Sequence, residues 1–296
     1  MIEYRIYLTG LVAVFLALGL GMLVGSALVG SPSSERQQRD LRTLQQTFAE
    51  FSQKYADLRT ESENLKGRLQ REDQAMRELI PSFVGGHLTG QRIAIVLCGE
   101  LDDTAFVSQV AVTIEKAGGK VTSTTRIGDD WLPSEDVARA GVVRAMGLEP
   151  NDAADASMTS AVGRAIGLGR DSPLRSASEL ATSLRLDGDY SHPVDCVLVI
   201  SGTRTPSRYD AAKVHLTPES ALLSGLRETQ ARVIAAEPDG DETLSTIPFI
   251  SRSVPATVDN IDMASGQLSA VYALAGRDGR FGIKRSAERA IPDISE

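Results

Sequence analysis

"RIAIVLCGELDDTAFVSQVAVTIEKAGGKVTSTTRI", residues 92–127, decides the fold class. Ile93 to Cys98 is an unbroken apolar run, the pattern of a strand buried on both faces. Past Asp103 or Thr104, either of which can cap a helix, apolar residues recur at helical spacing through Ile114, and Gly118 and Gly119 supply the stop. "KVTSTTRI" (120–127) is rich in β-branched residues and reads as a second strand. Strand, helix and strand in this order form a βαβ unit with parallel strands, because the helix carries the chain back to the end where the first strand began.

The arrangement repeats downstream. "VDCVLVISG" (194–202) is a third strand, a helix starts near Pro218, and "ARVIAAE" (231–237) is a fourth strand. A last helix, Gln267 to Ala275, follows "ATVDNID" (256–262). Pro133 to Arg185 is rich in Ala, Ser, Arg and Asp at helical spacing with no convincing strand, and reads as a helical insertion. The expectation for 92–282 is thus an α/β domain on a mostly parallel, doubly wound, Rossmann-like sheet, with the insertion at about 133–185 and a C-terminal tail at 283–296.

Upstream the chemistry changes twice. "GLVAVFLALGLGMLVGSALVG" (10–30) is the centre of a stretch from Ile6 to Gly30 without a charged side chain. At about 1.5 Å per residue it makes about 37 Å of helix, against a hydrocarbon core about 30 Å thick. A cleavable signal has an apolar region of only about 7–15 residues, so the length favours an uncleaved anchor over 1–31, although Gly25 and Ala27 offer small residues at cleavage-like spacing. Ala17, Gly21 and Gly25 form a small-residue row that lets a second helix approach closely, and glycine is also common in membrane helices that pair with nothing. Arg36, Arg39 and Arg42 outnumber Arg5 across the span, a count that points the C-terminal bulk inward.

Residues 35–80 can be indexed as heptads, with Leu41, Phe48, Tyr55, Leu69 and Met76 at a and Leu44, Phe51, Leu58, Leu65 and Leu79 at d. Only Ser62 and Glu72 break the pattern, which favours a coiled coil, with a second copy or a partner helix, over one long helix folding back on its own domain. Phe48, Phe51 and Tyr55 are bulky for a zipper, and Ser62 and Gly67 weaken its middle. Pro81 should stop the helix, and Gly85, Gly86 and Gly90 make 81–91 a hinge.

In an open parallel sheet ligands sit at the carboxyl ends of the strands, so the loops "CGELDDT" (98–104) and "SGTRTPSR" (201–208) are the expected cleft. The candidate residues are Gly99, Glu100, Asp102, Gly202 and Arg204. The first loop is acidic rather than a phosphate cradle, and neither GxGxxG nor GxxxxGK[ST] occurs, which disfavours nucleotide binding. Turn glycines with an acidic helix cap explain the same residues, and Arg204 and Arg208 could as well pair with that acidic loop as bind an anion. His87, His192 and His215 belong to no catalytic motif and GxSxG is absent, so no catalytic residue and no enzyme activity is expected. A net charge of −8 argues against a nucleic-acid partner. Cys98 and Cys196 fall at opposite ends of neighbouring strands, roughly 15 Å apart at about 3.3 Å per residue, too far to bridge or share a metal. With no CxxC, HxxxH or Met-rich run, no metal ligand set and no cofactor is evident.

"VAVFLALGLGMLVGS" (12–26), the heptads behind it, the βαβ domain, and "VDNIDMASGQLSAVYALAG" (258–276) followed by "GRFG" (279–282) together resemble the bacterial copper transport protein B family over nearly the whole chain. The resemblance implies a single-pass cell-membrane protein with its soluble part outside the cytoplasm, opposite to the arginine count, and a role in copper homeostasis or efflux. Copper rests on the resemblance alone. Two other readings of the residues stay open: a membrane-tethered coiled-coil scaffold or regulator of envelope and cell-wall proteins with a non-catalytic α/β head, and a sensor whose cleft acts on the coiled coil.

Overall fold

The computed structural model describes residues 3–29, 32–99, 101, 104–149, 155–202, 218–240 and 245–294. The chain divides into two units, Met1–Leu69 and Gln70–Glu296.

The first unit is helical. Helix α1 (Glu3–Val29) carries an apolar stretch, Thr9–Ser26, with mean hydropathy 2.0 and no residue buried. A helix apolar on all sides and uncovered by protein is suited to lipid as its solvent. Helix α2 (Pro32–Val84) is 53 residues long and contributes its larger part, to Leu69, to this unit. Bonds one turn apart, Gln53 to Asp57 at 2.9 Å and Arg59 to Glu63 at 3.1 Å, support it locally. Leu41, Leu44, Phe48, Phe51, Tyr55, Leu58, Leu65 and Leu69 are all at least half exposed.

The second unit is a seven-stranded sheet between two layers of helices. Its strands are β1 (Arg92–Cys98), β2 (Lys120–Ile127), β3 (Leu184–Gly188), β4 (Cys196–Ser201), β5 (Arg232–Ala236), β6 (Ala256–Val258) and β7 (Gly279–Phe281), in the order β3-β2-β1-β4-β5-β6-β7. Every neighbouring pair is parallel except β2 with β3. Alternation along the buried strands sends Ile93, Ile95 and Leu97 into one core, with Leu198, Ile234 and residues of α3 (Ala105–Lys116) and α9 (Ala264–Leu274). Ala94, Val96 and Cys98 face the other core. That core is covered by α4 (Asp136–Ala145), α5 (Asp155–Leu168), α6 (Asp171–Leu180), α7 (Pro218–Arg227) and the short α8 (Ile247–Ile250). The α/β class and the mostly parallel sheet expected from residues 92–127 are therefore present.

Five features differ from expectation. Helix α2 does not stop at Pro81 but runs through it to Val84. A proline inside a helix costs about 3 kcal/mol, and here Ile80 and Val84, on either side of it, are buried in the first core and offset that cost. The expected hinge is packed as well: Leu88 is fully buried and its N–H donates to Ala117 O at 2.9 Å. The insertion after β2 is helical but ends in β3, an edge strand whose alternate residues face solvent and whose partner runs antiparallel. The tail does not begin at 283, because Lys284 is buried and Arg289 bridges to Phe281. Strands β6 and β7, three residues each, were not expected at all.

Candidate functional site

β1 has parallel neighbours on both sides, β2 and β4, whose connections leave in opposite directions along the sheet, so the crevice beyond its carboxyl end lies at the switch in strand order. The register pairs Cys98 with Ser201, which sets Gly99 beside Gly202. Gly202 N–H donates to Cys98 O at 2.8 Å, and Gly99 N–H to Ile127 O at 2.9 Å. Gly99 has φ +78°, a left-handed conformation that glycine adopts without a steric penalty. Glu100, Asp102 and Arg204 lie outside the described residues.

The residues that the sequence reading omitted here are Ser201, Asp129 and Glu219. Ser201 Oγ is buried with no hydrogen-bond partner among the described residues. Glu219 is buried in the first turn of α7. Burial pushes the Cys98 thiol well above its ordinary range, and the carboxylates of Glu219 and Asp129 push it further. Such a thiol stays protonated, which suits a core residue rather than a nucleophile or metal ligand. Cys196 is held up to about 11, mainly by burial, with Asp195 raising it and Arg232 opposing. It pairs with Ile93, five positions from the Cys98 level, and faces the opposite core. His87 packs against Tyr272 with the rings tilted by 42° and their centroids 4.7 Å apart, His192 is exposed near Asp189, and His215 lies outside the described residues.

A second polar site lies at the carboxyl ends of β5, β6 and β7. Lys284 Nζ donates to Glu237 Oε1 at 2.8 Å and to Pro238 O at 3.0 Å, with the Lys284 and Glu237 side chains both buried. Ser245 Oγ donates to Glu237 Oε1 at 2.5 Å, and Thr246 N–H to Oε2 at 2.8 Å. Asp259 Oδ1 accepts from Ile283 N at 2.7 Å, and Oδ2 accepts from Lys284 N at 3.2 Å. A side chain at position 282 would strike the Asp259 carboxylate, so Gly282, at φ +141°, is what lets β7 pass this close. Burial raises the Asp259 carboxyl above its usual range, while the N–H groups of Ile283 and Lys284 and the Lys284 charge draw it back. Burial likewise raises Asp262, whose Oδ1 accepts from Asp239 N at 2.6 Å. The visible signal for this site was "VDNID" and "GRFG", whose residues meet there.

The chain matches the family described as copper transport outer membrane protein, MctB, over residues 1–292. It belongs to that family. No curated protein matches the chain. The stretch 258–282 lies within the matched residues and supplies the end of β6, helix α9 and strand β7. Among the described residues, no group of three or more His, Cys, Asp or Glu is placed to hold a metal ion. The polar cluster is internally satisfied by Lys284 and backbone N–H groups, a donor set that suits a fixed joint better than a copper ligand shell.

Proposed function

We propose that this chain handles copper as cargo in the cell envelope, as an anchored and assembled protein and without enzymatic chemistry. The observation that carries the reading is the family match over residues 1–292, joined to one apolar helix, Thr9–Ser26. Helix α1 is the membrane anchor, with the α/β unit outside the cytoplasm. One helix encloses no conduit, and a parallel sheet covered by helices on both faces presents no lipid-facing barrel wall. Copper movement therefore belongs to an assembly of several copies or to a partner, and nucleic acid is not among the partners.

Two features support assembly. The row Leu41, Leu44, Phe48, Phe51, Tyr55, Leu58, Leu65 and Leu69 lies exposed along α2, and apolar residues at heptad spacing are stabilised when a second helix covers them. In α1, a side chain added at Gly21 or Gly25 would meet nothing within 4 Å, so the small-residue face with Ala17 is open to a neighbouring helix.

The test is a deletion strain whose cell-associated copper is measured by mass spectrometry. Copper content and copper sensitivity should rise, and the full chain should restore both. Unchanged copper would remove the copper reading and leave a scaffold role. Complementation by a Phe51→Ser, Leu58→Ser chain should fail, and full rescue by it would remove assembly from the mechanism.

A further inference from the structure

We infer that two copies of this chain pair edge to edge through β3, antiparallel and centred on Leu186, so that their sheets join into one. The inference rests on the assembly proposed above only for bringing the copies together, since the contact lies wholly on the α/β unit.

Strand β3 is bonded to β2 on one side and, among the described residues, to no strand on the other. Gly128 N–H donates to Ser183 O at 2.9 Å and Asp189 N–H to Thr122 O at 2.8 Å, so the odd positions turn their backbone groups toward β2. Leu184, Leu186 and Gly188 therefore turn theirs outward. Gly188 O shows it, accepting from Arg175 Nη2 at 3.1 Å. Outward backbone groups of this kind are a template for another strand, and copies anchored in one membrane meet at high effective concentration.

The charges decide which strand it is. On the face opposite to Leu184 and Leu186, Arg185 and Asp187 are exposed, and neither is in an ion pair among the described residues. Within the chain Arg185 lies directly across from the exposed Arg126, and like charges so placed repel. In an antiparallel ladder between two β3 strands, only outward-facing residues bond to each other. Leu184 opposite Leu186 would set Arg185 against Arg185, and Leu186 opposite Gly188 would set Asp187 against Asp187. Leu186 opposite Leu186 sets each Arg185 against the other copy's Asp187. Of the registers that pair at least two of the outward residues, this one alone is attractive, and it is so twice over. It joins each Leu186 N–H to the other copy's Leu186 carbonyl. It also lays the two half-buried Leu186 side chains together on the face of the second core, where Leu186 already packs.

Amide exchange in the full chain, reconstituted into liposomes, reads the edge. In wild type the Leu186 N–H should exchange slowly. Arg185→Asp or Asp187→Arg turns two attractions into two repulsions and should speed that exchange by about tenfold. Mixing the two variants, or placing both substitutions in one chain, restores opposite charges and should restore slow exchange, which also shows that each variant folds. Register is read by mixing Arg185→Cys chains with Asp187→Cys chains. Oxidation should link unlike chains, because facing residues of a non-hydrogen-bonded pair lie about 4.5 Å apart at Cα, within disulfide reach. Cys98 and Cys196 are buried and do not compete. Parallel samples carrying Leu58→Cys report pairing of α2.

Linked α2 helices with fast Leu186 exchange overturn the edge pairing and leave assembly standing. Slow exchange that ignores the charge substitutions also overturns it, since something other than a second β3 then covers the edge. Links between like chains at position 185 overturn this register and the pairing with it. Copies linked neither at position 58 nor between 185 and 187 overturn assembly and edge pairing together.

Discussion

Leu58 and Ile80 lie on one continuous helix and have nearly the same side-chain volume and hydrophobicity, yet Leu58 is 65% exposed and Ile80 3%. The difference is in what each meets. From Asp73 onward the helix turns Asp73, Met76, Arg77, Ile80 and Val84 to the α/β core and to α9, a row at spacing three and four that is satisfied within the chain. Up to Leu69 the apolar residues of the heptad row are at least half exposed among the described residues. Periodicity shows that a helix has an apolar face, and it cannot tell whether the face is covered by the same chain.

The largest break in the comparison comes from charge at the buried end. Ile80→Asp puts an unpaired carboxylate into the first core, and the α/β unit should lose its cooperative thermal transition in circular dichroism. Lys284→Met strands the buried Glu237 carboxylate without its cation and should destabilise the same unit by about 3–5 kcal/mol in a urea titration.

A smaller effect follows from the raised Asp262 carboxyl. Folding favours its protonated form, so the stability it contributes is fully present below the carboxyl's ordinary range and is lost as pH rises through the raised value. Asp262→Asn keeps an oxygen to accept Asp239 N–H, so it should match wild type at acidic pH and melt higher than wild type above that value, read by differential scanning calorimetry. A variant that melts lower than wild type at neutral pH would show that the charge stabilises the joint. The smallest effect on the α/β unit is at the other end of α2: Phe51→Ser with Leu58→Ser should change its unfolding free energy by less than about 0.5 kcal/mol while abolishing self-association in crosslinking.

The placement of Gly99 beside Gly202 was legible because it needs only local patterns, two apolar strands ending in glycine, and the rule that parallel strands share a carboxyl end. The joint of Asp73, Glu237, Asp259, Asp262 and Lys284 was not legible as a joint. Its members are scattered from the long helix to the last residues, and no spacing links them. Strands β6 and β7 escaped for a related reason: three residues are too few to display a period, and only pairing with β5 and with each other makes them strands. Edge strand β3 was hidden by its exposed alternate positions and by the helices before it.

Local sequence by itself determined the apolar helix α1, the long helix with its heptads, and the βαβ start of the sheet, since each depends on side-chain period and on turn residues a few positions apart. Only the tertiary structure decided that α2 from Gln70 onward belongs to the α/β unit, and that Pro81 lies within the helix. The physical reason is that burial of Ile80 and Val84, and the bonds from Asp73 and Arg77 to α9 and its loop, join groups nearly two hundred residues apart, and their energy outweighs the local signal to stop.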